Sequence, residues 1–141
     1  MKQLITMKDY LTSSGKYPER EAMADEQVIL NATLLIEKTN ALLHDLGVTK
    51  ILGVSSGFRP QDVNKKVKGA AKKSAHILGL AVDLVDDKEQ TLGKLLISKP
   101  ELLKKHGVWI EHLDHTKGQF TNWAHCDLVK RSDRELQVFR P

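Results

Sequence analysis

The sequence predicts an α+β fold, a single domain in which a small antiparallel sheet packs against helices. Three observations carry this. A long helical stripe starts at Asp25, where Val28, Ala32, Leu35, Leu42 and Leu46 recur at helical spacing and Gly47 can close the end. Short β-branched and aliphatic runs follow it, separated by brief helical segments. Finally, 141 residues with 40% apolar and 28% charged content, free of repeats, low-complexity tracts and linkers, suit one core and one domain, residues 1–141.

Taken in order, residues 4–11 read as a short opening strand or helical turn, and the Ser, Gly and Pro content of residues 12–18 marks a loop. After the long helix, residues 48–54 read as a strand delivering the segment from Ser55 to Pro60 to its end. Pro60 suits the first turn of a short helix over residues 61–64. A strand is expected over residues 80–85. Asp87-Lys88-Glu89-Gln90 has capping-box spacing before a helix with Leu92, Leu95 and Leu96 on one side. A second helix runs from Pro100 to about His106 and stops at Gly107. Strands follow over residues 108–111, 122–128 and 136–139. His44 reads as a surface or packing histidine, and His106, in a last helical turn, as scaffold.

Composition also narrows the function classes. No run approaches the roughly 18 apolar residues that span a membrane, and the N-terminus has no secretory pattern, so the product is expected in the cytoplasm after synthesis. A lone cysteine, Cys126, permits no internal disulfide and is expected as a buried thiol. The net charge of +4 favours an anionic partner. The basic run over residues 64–73 has no interleaved aromatic for base stacking, which disfavours nucleic acid.

The chemistry concentrates in Ser74-Ala75-His76-Ile77-Leu78-Gly79-Leu80-Ala81-Val82-Asp83. An imidazole and a carboxylate are ordinary zinc donors, and a catalytic zinc takes three protein ligands and keeps a fourth position for water. Residues seven apart on an unbroken strand face opposite ways, so Gly79 must redirect the chain for His76 and Asp83 to converge. The third candidate is His125, on the alternating run over residues 122–128.

These residues keep specific company. Ser55-Ser56-Gly57-Phe58-Arg59-Pro60 and Asn64 lie upstream, and Trp123-x-His125 lies downstream. Together they resemble the zinc D-Ala-D-Ala carboxypeptidase and L-alanyl-D-glutamate endopeptidase family, whose pattern runs Ser-Gly-Tyr/Phe-Arg-Pro, Ser-x-His-x-x-Gly-x-Ala-x-Asp, then Trp-x-His. The resemblance covers residues 8–141, and the layout looks most like the small phage-encoded members, with their Val-Phe-x-Pro ending.

The resemblance implies a hedgehog/D-Ala-D-Ala peptidase-like fold and Zn²⁺ held by His76, Asp83 and His125. It implies that Arg59 meets a substrate carboxylate or the oxyanion, with Ser74 and Trp123 also contacting substrate or shaping the loop. In one position the chain departs from the pattern: many members carry a glutamate three residues before the last histidine, and here that residue is Asn122. Glu111 is the first choice of general base, with Asp114, His112 and His115 as competitors. The implied substrate is the stem peptide of peptidoglycan, cut at a bond involving a D-amino acid by a monomer that needs neither nucleic acid nor membrane. A phage lysis enzyme released by a holin, or a virion-associated wall hydrolase, fits this reading. Its rival is a zinc-bearing binding module without hydrolysis, as in the related hedgehog signalling domain.

Overall fold

In a computed structural model, which describes residues 2–67, 74–131 and 137–141, the chain opens with a short helix, α1 (Met7–Thr12). Thr6 starts it by accepting a hydrogen bond from the Asp9 N–H. A 3₁₀ turn (Pro18–Met23) occupies the end of the expected loop and leads to α2 (Glu26–Asp45). Asp25 caps that helix as its position suggested, its carboxylate accepting from the Val28 N–H at 2.9 Å. The stripe of α2 that turns inward comprises Val28, Ala32, Leu35, Ile36, Thr39, Leu42 and Leu43. His44 is exposed on the other side.

Three shorter helices follow: α3 (Gln61–Asn64), immediately after Pro60, α4 (Thr91–Ile97) and α5 (Pro100–His106). Gly107, in the left-handed conformation, ends α5 as expected. His106 Nε2 lies 2.7 Å from Asp45 Oδ2, tying the end of α5 to the end of α2, which is a scaffold role. The capping box does not form. Gln90 adopts φ +55° and turns its amide inward to donate to the Leu113 carbonyl and Thr116 Oγ1. Asp87 Oδ1 accepts instead from the Thr91 N–H at 2.9 Å, and the buried carboxylate of Asp86, at a strand end, accepts from the Leu92 and Gly93 N–H groups, both at 2.9 Å.

The sheet has five strands: β1 (Val54–Ser56), β2 (Ala81–Asp86), β3 (Trp109–Glu111), β4 (Asn122–Asp127) and β5 (Val138–Phe139), in the spatial order β1-β2-β4-β3-β5. The first four are joined antiparallel, as expected, and β5 adds to β3 in parallel, so the sheet is mixed at one edge. β1 is much shorter than the run over residues 48–54 suggested. Leu52 is 70% exposed and Gly53 has φ +143°, so the chain arrives by a turn and pairs only from Val54 onward.

Alternation then divides the sheet. Val54, Val82, Leu84, Ile110, Ala124 and Cys126 are buried in one cluster with the inward stripe of α2. Cys126 is the buried core thiol its neighbours implied. The other face carries the polar residues described next. Residues 68–73 of the basic run, and 132–136 with the first part of the last expected strand, lie outside the described residues.

Candidate metal centre

Register places one residue from every strand in a single row across the polar face. Ser56 pairs with Asp83 and Asp83 with His125. Trp109 and Ile110 pair with Asp127 and Cys126, so continuing that register brings Glu111 opposite His125, and Glu111 in turn pairs with Phe139. Neighbouring strands lie about 4.8 Å apart, so side chains along such a row touch.

His76 reaches the row from outside the sheet. It lies in the turn before β2, where Ser74 Oγ accepts from the His76 N–H at 3.2 Å. Gly79 has φ +76°, and a Cβ there would stand 2.6 Å from the Val28 carbonyl oxygen; only glycine makes this turn against α2. The change of direction that the His76–Asp83 spacing required is therefore present. Gly57 is needed for a different reason: a Cβ there would run into the Tyr10 carbonyl oxygen. That close approach lets the Phe58 N–H donate to the Tyr10 carbonyl at 3.1 Å, and it fixes the Gly57 carbonyl as acceptor for His76 Nδ1 at 2.8 Å. The Arg59 N–H then donates to the His76 carbonyl, so the two loops are stitched together.

With Nδ1 of His76 engaged, its Nε2 is left toward the sheet, 3.2 Å from Asp83 Oδ2. His125 Nδ1 lies 2.7 Å from Asp83 Oδ1, and His125 Nε2 lies 2.7 Å from Asp127 Oδ2. His76, Asp83 and His125 thus each offer one ligand atom, all within 4.8 Å of one another, from side chains that are buried or nearly so. Two imidazoles and a carboxylate are the donor set of a catalytic zinc, and the polar partners already holding the outer nitrogens fit it.

The electrostatics are those of a tightly coupled cluster. Burial raises the Asp83 carboxyl pKa, but the two imidazoles outweigh it and hold the group well below the usual carboxylate range. Burial lowers that of His125, yet Asp83 and Asp127 more than reverse this and push it up to about 10. Burial similarly disfavours charge on Asp127, and hydrogen bonds from His125 and Arg131 overcome it. Glu111 behaves differently: half-buried, it has a raised pKa through desolvation, which the nearby His125 offsets only in part.

The other expected residues divide into two groups. Arg59 stands beside the row, its guanidinium donating to Asn64 Oδ1 at 2.9 Å and Ser56 Oγ at 3.1 Å. Trp123 shares the polar face with His125 and lies against the Gly118 loop. By contrast, His112, Asp114 and His115 sit at the rim, where Arg140 contacts all three. Asn122 looks away from the ligands: its amide donates to the Asp87 and Lys88 carbonyls and its oxygen accepts from the Gly118 N–H. Asp127 was not anticipated. The only signal for it was its place two residues beyond His125, which puts both on one strand face.

The family model described as Peptidase M15 matches residues 10–127, a span that contains every one of the ligand candidates and Glu111. Among curated proteins, no sequence matches the chain at a significant level.

Proposed function

We propose that this chain, which belongs to the peptidase M15 family and is a zinc-dependent peptidase domain, hydrolyses a stem-peptide bond of peptidoglycan that involves a D-amino acid. The observation that supports it most is the transverse row, which gathers Asp83, His125 and Glu111 on one face with His76 closing over it. His76, Asp83 and His125 are the residues that would hold Zn²⁺. Bound there, zinc supplies Lewis acidity, polarising a peptide carbonyl and making water a better nucleophile near neutral pH.

The remaining work falls to side chains of this chain. Glu111 takes the proton of the attacking water and passes it to the leaving amine. A half-buried carboxyl whose pKa is raised toward the working pH is suited to both transfers. Arg59, already oriented by Ser56 and Asn64, offers its guanidinium to a substrate carboxylate or to the developing oxyanion. Ser74 shapes the His76 turn, and Trp123 offers substrate an apolar surface on the sheet face of His125. With Glu111 in the row, the substitution at Asn122 does not deprive the site of a carboxylate, which weakens the case for a binding module without hydrolysis.

The positive net charge agrees with an anionic wall polymer. Among the described residues no helix is long and apolar enough to cross a membrane. Both agree with a phage lysis or virion-associated wall hydrolase, brought to its substrate by a holin or a particle. The test is to measure zinc per chain and to digest purified peptidoglycan, weighing the fragments by mass spectrometry. About one zinc, as a three-ligand site requires, with stem peptides cut beside a D-residue, is the expected result. One zinc with intact stem peptides would leave a binding module. No zinc would remove the metal centre.

A further inference from the structure

Asp127 is 1% exposed, and its carboxylate accepts four hydrogen bonds. The Val129 N–H donates to Oδ1 at 3.0 Å, Arg131 grips both oxygens at 2.8 and 3.0 Å, and His125 Nε2 lies 2.7 Å from Oδ2. Nothing in the proposed reaction uses it. We infer that Asp127 is a positioning residue, which decides which nitrogen of His125 is presented to the metal; the inference rests on the zinc reading given above.

A neutral imidazole has one N–H and one lone pair, and what its N–H meets decides where the lone pair points. Both ring nitrogens face a carboxylate at 2.7 Å, Asp83 at Nδ1 and Asp127 at Nε2. A zinc held by Asp83 and His76 would take the Nδ1 lone pair in place of a proton, and Asp127, an acceptor only, then keeps the remaining proton on Nε2. A ring turned over would lose this match at both ends. The carboxylate is itself kept in place by more than one support. The Arg131 guanidinium stacks on Phe139, 3.4 Å from the ring centroid, and lies 5.7 Å from that of Trp109. Phe139 in turn meets His125 edge to face at 5.7 Å. Even without Arg131, the Val129 N–H would hold Oδ1.

The competing account makes Asp127 and Arg131 an ion pair that serves stability alone. The two accounts separate in zinc affinity. Metal-free wild type, Asp127→Ala, Asp127→Asn and Arg131→Gln are each titrated with Zn²⁺ against a chromophoric chelator, and their melting temperatures are measured without metal. Loss of an outer carboxylate partner weakens metal binding by roughly ten- to hundredfold, which is expected of Asp127→Ala. Asp127→Asn, whose amide oxygen still accepts from Nε2–H, should bind more tightly than Asp127→Ala. Arg131→Gln should melt early yet bind zinc more nearly as wild type does.

Long-range proton–nitrogen NMR of the zinc-loaded wild type should show His125 coordinated through Nδ1 with its proton on Nε2. Coordination through Nε2 overturns the inference, and this measurement decides even where Asp127→Ala does not fold. So does wild-type affinity in Asp127→Ala, or zinc affinity that merely follows melting temperature across Asp127→Ala and Arg131→Gln. Wild-type protein that takes up no zinc is a distinct outcome, which overturns the metal centre and the positioning role together.

Discussion

Along β2 and β4, successive residues go to opposite sides of the sheet: Val82, Leu84, Ala124 and Cys126 join the core under α2, while Asp83, His125 and Asp127 face the other way. At Val82, Leu84, Ala124 and Cys126 the core face needs only apolar volume, and none of these four is required for a particular atom. On the polar face, by contrast, a nitrogen or a carboxylate oxygen must stand at one place, and His76, Asp83, His125 and Asp127 are each held there by a named hydrogen bond or close polar contact. Because the two faces share backbone but not side-chain partners, stability and chemistry should be separable. Damage to one face should leave the other function largely measurable.

The largest effect that sharpens this contrast is expected at Glu111. Removal of a general base costs about a hundredfold to ten-thousandfold in rate. Glu111→Gln keeps size and shape, so it should retain zinc and melt close to wild type while turnover on peptidoglycan collapses. Should Glu111→Gln cleave at the wild-type rate while His115→Ala does not, the base belongs to the rim, where His115 lies close enough to influence Glu111.

The next prediction attacks the core face. Leu84 is fully buried on the strand that carries Asp83. Leu84→Ala should cost about 2–5 kcal/mol, the usual range for a buried leucine, read as a lower urea midpoint. At temperatures where the variant is still folded, its zinc content should remain that of wild type. A variant of unchanged stability that cannot hold zinc would break the separation of the two faces.

How much of this was legible in the sequence follows the same division. α2 was readable because a 20-residue stripe repeats its signal many times and Asp25 marks its start. The convergence of His76, Asp83 and His125 was readable because two histidines and an aspartate in that company are scarce, and Gly79 disclosed that the chain must turn between the first two. β5 was not readable as a parallel partner of β3, since two residues carry no register information. Asp87 and Gln90 looked like a capping box because local spacing says nothing about Asp86, which reaches the same helix from a strand end and accepts from two of its N–H groups. Asp127 shows the limit most plainly. Its alternation with His125 is visible in the chain, but which imidazole nitrogen it meets depends on ring orientation, on Arg131 and on Phe139 from another strand.

The smallest expected effect tests a residue that belongs to neither strand face. Arg59 follows β1, and its guanidinium bridges Ser56, the first member of the row, to Asn64 on α3. It also feels the charge of Asp83. A lysine there would keep the positive charge but could not span both acceptors in one plane, so its ammonium would sit less well against a carboxylate or oxyanion. Arg59→Lys should therefore lower kcat/KM by roughly tenfold while leaving zinc bound, since a loss confined to transition-state contacts appears in kcat/KM and not in metal content. A shift in KM alone would assign Arg59 to ground-state binding of a substrate carboxylate, and a shift in kcat to the oxyanion. If both constants stay at wild-type values and only the melting temperature falls, Arg59 is a strut between β1 and α3, and the polar face performs its chemistry without it.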